Sequence, residues 1–276
     1  GLEKKITAEV VVIACNGIGT PRLLLNSKSK LFPDGLANSS GLVGKNLMFH
    51  PYSAIFGKFD AETDGARGPG NCIWSQEFYE TDPSRGFLRG FTFEASRGTG
   101  PALTVARGMT NHRIAWGANH HQSARQAINK FTGMVGICED LPNENNQVIL
   151  DPHLKDSDGI PAPKLHYALS ENSKRMLDFS IARGTEILEA AGGEDIQTVA
   201  PIPDGGWHLM GTARMGIDCT KSVVNEWGRC HDVKNLFIVD GSIFVTSAGV
   251  NPTRTIQALA LYVADTMKHR LTTLFD

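Results

Sequence analysis

The stretch Val10-Val11-Val12-Ile13-Ala14-Cys15-Asn16-Gly17, followed by Thr20-Pro21-Arg22-Leu23-Leu24-Leu25-Asn26-Ser27, decides the fold class. A run of β-branched residues entering a turn of small residues reads as a strand. Thr20 is placed to cap the helix that follows, with Pro21 as its first residue. Strand, turn and helix in that order indicate an α/β domain. Gly17-Ile18-Gly19 could pass for the start of a dinucleotide-binding fingerprint. Arg22, however, stands where a third glycine should let helix and strand close together, and Lys28–Ser40 is polar rather than a second strand. Residues 1–47 are therefore expected to be one late piece of an α/β domain.

From residue 48 the texture changes. Short apolar alternations at Ala54–Phe59, Gly86–Phe93 and Met134–Cys138 are separated by turns rich in Gly, Pro and Asp, the pattern of an antiparallel sheet. Segment 94–113 reads as a surface loop or lid, and Ser123–Lys130 as a short helix. Gln147–Asp151 and Pro163–Tyr167 read as strands joined through the turn Asp156-Ser157-Asp158-Gly159. Ser170 then caps a helix that stops at Gly192-Gly193, with Met176, Leu177, Ile181, Ile187 and Leu188 near one face. These features make 48–204 a second domain, antiparallel sheet plus helices, inserted before residues 205–276 return to the first.

Composition narrows the function classes. With 41% hydrophobic and 20% charged residues and a net charge of -2, the chain is an ordinary globular protein and offers nothing to nucleic acid. No apolar run approaches the roughly 20 residues of a membrane span. Five cysteines without a Cys-x-x-Cys pair argue against a disulfide framework and favour a reducing, cytoplasmic setting. Cys219, Cys230 and His231 fit no zinc spacing, and no metal site is expected.

The chemistry concentrates in two places. His208-Leu-Met-Gly-Thr-Ala-Arg-Met-Gly216 supplies an imidazole, and Gly249-Val-Asn251-Pro252-Thr253 supplies a carboxamide at the head of an apolar helix. A histidine is suited to take a hydroxyl proton near neutral pH while a second group holds the oxygen. Asn251 reads also as the N-cap of a helix over Pro252–Leu271, whose free N–H groups would face an anionic ligand. Arg214 is expected to fix the loop that carries His208. His50, in Phe49-His50-Pro51, reads equally as a residue near a cofactor or as a turn anchor.

These motifs resemble the C-terminal half of the glucose–methanol–choline (GMC) family of flavin-dependent oxidoreductases. Besides the two just quoted, Val10–Gly17 with Thr20–Ser27 looks like that family's late FAD-domain strand and helix. Val43-Gly-Lys-Asn-Leu-Met48 with His50 looks like its entry to the substrate domain, and Asn235-Leu-Phe-Ile-Val-Asp240-Gly241-Ser242 like its last strand before the flavin. The resemblance implies a partial FAD-binding, Rossmann-like domain carrying an inserted antiparallel substrate domain. It also implies FAD-dependent oxidation of an alcohol, with the proton going to His208 and the hydride to flavin N5. Asn251 would bind the alcohol oxygen, a His/Asn pairing like that of the sugar- and polyol-oxidising branch. Cofactor contacts would fall to Cys15, Asn16, Gly17, Asp240, Gly241, Asn251, Pro252 and Thr253.

The resemblance carries a further expectation. The family's FAD-diphosphate strand, glycine turn and helix have no counterpart here, which points to an N-terminal half or a partner subunit. The alternative is a split or incomplete fragment, inactive alone. The substrate would be a small alcohol or sugar; the electron acceptor stays open, with a quinone, cytochrome or dye favoured over oxygen.

Overall fold

The computed structural model describes residues 4–63, 71–96, 100–110, 114–203 and 205–275. In chain order the elements begin with β1 (Val11–Ile13), α1 (Asn16–Asn26), β2 (Tyr52–Lys58), β3 (Asn71–Ser75) and β4 (Phe91–Ser96). Next come α2 (Pro101–Thr110), α3 (His120–Ala127), β5 (Phe131–Cys138), β6 (Gln147–Lys155) and β7 (Pro161–His166). The last are α4 (Glu171–Ala190), β8 (Glu194–Val199), β9 (Leu236–Ile238) and α5 (Thr253–His269). The chain divides into two compact units. One comprises residues 1–50, 140–170 and 206–276, the other residues 51–139 and 171–205. Segment 140–170, which the sequence reading grouped with the antiparallel domain, thus folds with the first unit. The β6–β7 hairpin packs on α1, where Arg22 bonds the Pro161 carbonyl at 2.8 Å and pairs with Asp156 at 2.7 Å.

In the first unit β1 pairs in parallel with β9, Val11 opposite Leu236 and Ile13 opposite Ile238. Ile13, Leu24, Met48, Met210, Val224 and Ile238 are among its core. Val11 and Val12 are 44% and 52% exposed, and β9 is the one strand paired with β1 among the described residues.

Helix α1 begins earlier than the sequence suggests. Thr20 is not its cap: Asn16 is, at φ 66°, with its side-chain oxygen accepting from the Ile18 and Gly19 amides at 2.9 and 3.1 Å. Pro21 therefore lies inside the helix and lacks the N–H that would reach the Gly17 carbonyl. Thr212 supplies the substitute, its hydroxyl donating to that carbonyl at 2.7 Å.

The second unit is a five-stranded antiparallel sheet in the order β3-β4-β5-β2-β8, with α4 packed on β2 and β5. The buried stripe of α4 is Ser173, Met176, Leu177, Ser180, Gly184 and Leu188. Small residues bring the helix close: Ser180 bonds the Ser53 hydroxyl at 2.8 Å, and a Cβ on Gly184 would meet Ile55 at 2.8 Å. Ile187, expected on the buried face, is 42% exposed because this narrow stripe excludes it. Phe78, Phe91, Phe93 and Phe179 stack and cross edge to face beneath β4.

Three further expectations shift. Segment 94–113 contains α2 rather than only loop, Pro101 fitting a first helical turn; residues 97–99 and 111–113 lie outside the described residues. The short helix expected at Ser123–Lys130 is α3, which begins at His120. β4 starts at Phe91, since Gly86 closes a 3-10 turn at φ 76°.

Candidate active site

The His208 segment is held by its backbone on several sides. Met48 and Met210 exchange amide-to-carbonyl bonds of 3.0 and 3.1 Å in an antiparallel bridge. In an antiparallel pair the residue two after one partner faces the residue two before the other. That register sets His50 opposite His208. Beyond Met210, the Gly211, Ala213 and Met215 amides donate to the Gly241, Ser242 and Ile243 carbonyls at 3.2, 2.8 and 2.9 Å. A Cβ on Gly17 would lie 2.6 Å from the Leu209 carbonyl carbon, and one on Gly241 2.7 Å from the Leu209 oxygen. Both glycines are therefore required by the close approach of the Leu209 backbone.

The two imidazoles meet edge to face, ring planes at 84°, with Nδ1 of His50 2.6 Å from Nδ1 of His208. His50 is 1% exposed, and its Nε2 lies 2.6 Å from the Ala248 carbonyl and 3.1 Å from that of Ser247. Burial, and then the charge of His208, pull the His50 pKa down to about 4. His208 is half-buried, and burial lowers its pKa too. Both rings are thus neutral near pH 7.

Asp140 buttresses this arrangement. Its carboxylate accepts from the Tyr167 hydroxyl at 2.7 Å and the Phe49 amide at 3.4 Å, and its own amide donates to Ser247 Oγ at 2.8 Å. Burial, with the Asp140 charge, pushes the Tyr167 phenol well above its usual pKa. None of these three residues stood out in the sequence, because Asp140, Tyr167 and Ser247 sit in loops or beside strand ends without motif spacing.

Asn251 is exposed, three residues beyond Ala248. It is not the helix cap: the Ile256 amide bonds the Pro252 carbonyl at 2.9 Å, so α5 starts at Thr253 with Pro252 before it. Thr253, Arg254 and Thr255 are exposed, so the first-turn amides of α5 open outward. An apolar recess lined by Phe244, Val245, Val250, Pro252, Thr255 and Leu259 adjoins them.

At the other end, Asp240 is buried and committed to its own fold. Its carboxylate accepts from the Ser242 amide at 2.8 Å, the Asn16 amide at 3.1 Å and the Thr20 hydroxyl at 2.5 Å. Cys15 and Asn16 are exposed at the carboxyl end of β1, where ligands of α/β sheets sit. Tested against a flavin nucleotide, the two ends differ. At α5 the first-turn residues Thr253, Arg254 and Thr255 are exposed, and their amides lack partners within the helix. Gly17 and Gly241 leave no cradle, since backbone already fills the space of their missing side chains.

Residues 142–260 match the family model described as GMC oxidoreductase, a span holding His208, Asn251 and Thr253. Over that span the chain is similar to the GMC oxidoreductases. It is 40% identical, over all of its length, to a 2-methyl-1,2-propanediol dehydrogenase of Mycolicibacterium austroafricanum, of which it covers 50%. It is 31% identical, over 97% of its length, to the large subunit of a fructose dehydrogenase of Gluconobacter japonicus, of which it covers 48%. The chain thus spans about half the length of these curated relatives. A solved pyridoxine 4-oxidase from Mesorbium loti shares the fold at a TM-score of 0.63 and 15% identity, over 94% of this chain and 51% of that one.

Proposed function

We propose that these residues form the substrate half of the active site of a FAD-dependent alcohol oxidoreductase, acting on a small diol, polyol or sugar. One observation carries the reading: a half-buried, neutral His208 held by strand pairing within the matched GMC domain, on the same unit as the open α5 terminus. Support for the substrate class comes from relatives whose names are those of diol and sugar oxidoreductases.

His208 takes the hydroxyl proton as general base, which its neutral ring permits near pH 7. Asn251, exposed beside the α5 terminus, donates to the alcohol oxygen and restrains the alkoxide as charge develops. FAD, when held at this site, would supply the hydride acceptor. Thr253 and the first-turn amides of α5, with Pro252 at their base, offer the positive end of a helix to the negative charge of the reduced ring. Cys15, Asn16, Asp240, Gly17 and Gly241 make up the other contact region. There the exposed Cys15 and Asn16 would hold the cofactor, while Asp240 and the two glycines shape the backbone behind them.

The test is anaerobic reduction of the FAD-loaded protein containing this segment, using vicinal diols and sugars as donors. Bleaching of the flavin by such donors, lost in His208→Ala with FAD still bound, supports the reading. Bleaching that survives His208→Ala overturns it.

A further inference from the structure

We infer that His50 is a positioning residue that fixes the tautomer of His208, so that His208 carries its hydrogen on Nδ1 and presents Nε2 as the proton-accepting atom. The argument is one of donors and acceptors. Carbonyl oxygens only accept, so the nitrogen of His50 that lies 2.6 Å from the Ala248 carbonyl and 3.1 Å from that of Ser247 must bear the hydrogen. In a neutral ring the other nitrogen, Nδ1, then carries only a lone pair. The 2.6 Å contact from that lone pair to Nδ1 of His208 needs one hydrogen between them. It can only come from His208. The remaining nitrogen of His208, Nε2, is left unprotonated.

Three features hold the relay in place. The Met48–Met210 bridge sets the two rings opposite each other. His50 is fully buried, so solvent does not exchange its partners. Ala248 adopts φ 55°, a left-handed conformation uncommon for a residue with a side chain, and it is this residue's carbonyl that His50 engages. The arrangement resembles in logic the orienter of a hydrolytic histidine, where the wrong tautomer costs activity although the geometry persists. Here the orienter is a second neutral imidazole and not a carboxylate, so no charge is buried to stabilise a histidinium. The inference rests on His208 being the base, as proposed above.

The experiment reads nitrogen-15 resonances of histidine-labelled 276-residue chain at about pH 7.5, where protonated and lone-pair ring nitrogens separate widely. Expected is a protonated Nδ1 and a lone-pair Nε2 in His208, with the reverse in His50. A protonated Nε2 in His208 overturns the inference and leaves the base assignment untouched. In the FAD-loaded protein, His50→Leu should slow flavin reduction by alcohol about tenfold or more without a matching rise in KM. His50→Asn, which returns an acceptor near the old Nδ1, should recover much of that loss. Equal rates in wild type and His50→Leu would overturn the positioning role even with the tautomer as stated. Turnover in His208→Ala would instead overturn the base assignment, with the wild-type tautomer still read directly from the spectrum.

Discussion

Thr212 donates its hydroxyl hydrogen to the carbonyl of Gly17 at 2.7 Å, the acceptor that Pro21 leaves unclaimed inside α1. One threonine from the His208 motif thereby completes a helix nearly two hundred residues earlier in the chain. Thr212 in the run that follows His208 thus has a structural reason that needs no cofactor.

Thr212→Val should leave that buried carbonyl without a donor and cost about 1–3 kcal/mol of stability. In a Pro21→Ala background residue 21 regains its N–H, and the same substitution should cost less. Urea unfolding of the four variants gives the coupling; a cycle that sums to zero would mean the two residues act independently.

Gly17→Ala and Gly241→Ala each drive a Cβ into the Leu209 backbone, at 2.6 and 2.7 Å. Both should lower the melting temperature of the chain measured without FAD, by the equivalent of about 1–3 kcal/mol each. An unchanged melting temperature with weakened FAD affinity would assign these glycines to cofactor contact instead.

His208→Ala should lower the rate of flavin reduction by about 10³-fold or more, the range of a lost general base. Asn251→Ala should lower it less, by about 10²-fold, as for one donor to a developing oxyanion. Stopped-flow reduction separates the two, and equal rates in Asn251→Ala and wild type would leave Asn251 without a role in the chemistry.

Stability should fall with acidity in a defined window. His50 titrates at about 4 when folded against 6.5 when free. The unfolded chain therefore binds a proton that the folded chain refuses as pH drops through this interval. The contribution is fully present above about pH 6.5, is lost progressively down to about pH 4, and totals about 3 kcal/mol. His208, lowered by burial as well, adds to the loss with the same sign. Urea midpoints at about pH 7 and pH 4.5 measure it. His50→Asn should flatten the slope, and an identical slope would show that His50 is not the group responsible.

The α/β class and the antiparallel second unit were legible because Val10–Ile13 and the alternations at Ala54–Phe59 and Met134–Cys138 carry strong local patterns. The edge strands were not. β8 reads Glu-Asp-Ile-Gln-Thr-Val and β3 Asn-Cys-Ile-Trp-Ser, sequences whose strand state comes from neighbours rather than from their own periodicity. Helix starts slipped for a similar reason. Thr20-Pro21 has the composition of a cap, yet Asn16 in a left-handed conformation satisfies the first turn sooner. Within the site, His208 and Asn251 announced themselves by motif. The pairing of His50 with His208 did not, because it depends on a register set at Met48 and Met210, two residues away from each.

The backbone at Leu209 leaves no room for a side chain at Gly17 or at Gly241. For anyone redesigning this region, the backbone that carries His208 therefore behaves as a fixed datum. Variation at positions 17, 209, 210 and 241 will return folding failures before it returns new substrates. Productive diversity belongs on the surfaces the backbone does not clamp, such as the recess beside Val245, Val250 and Leu259.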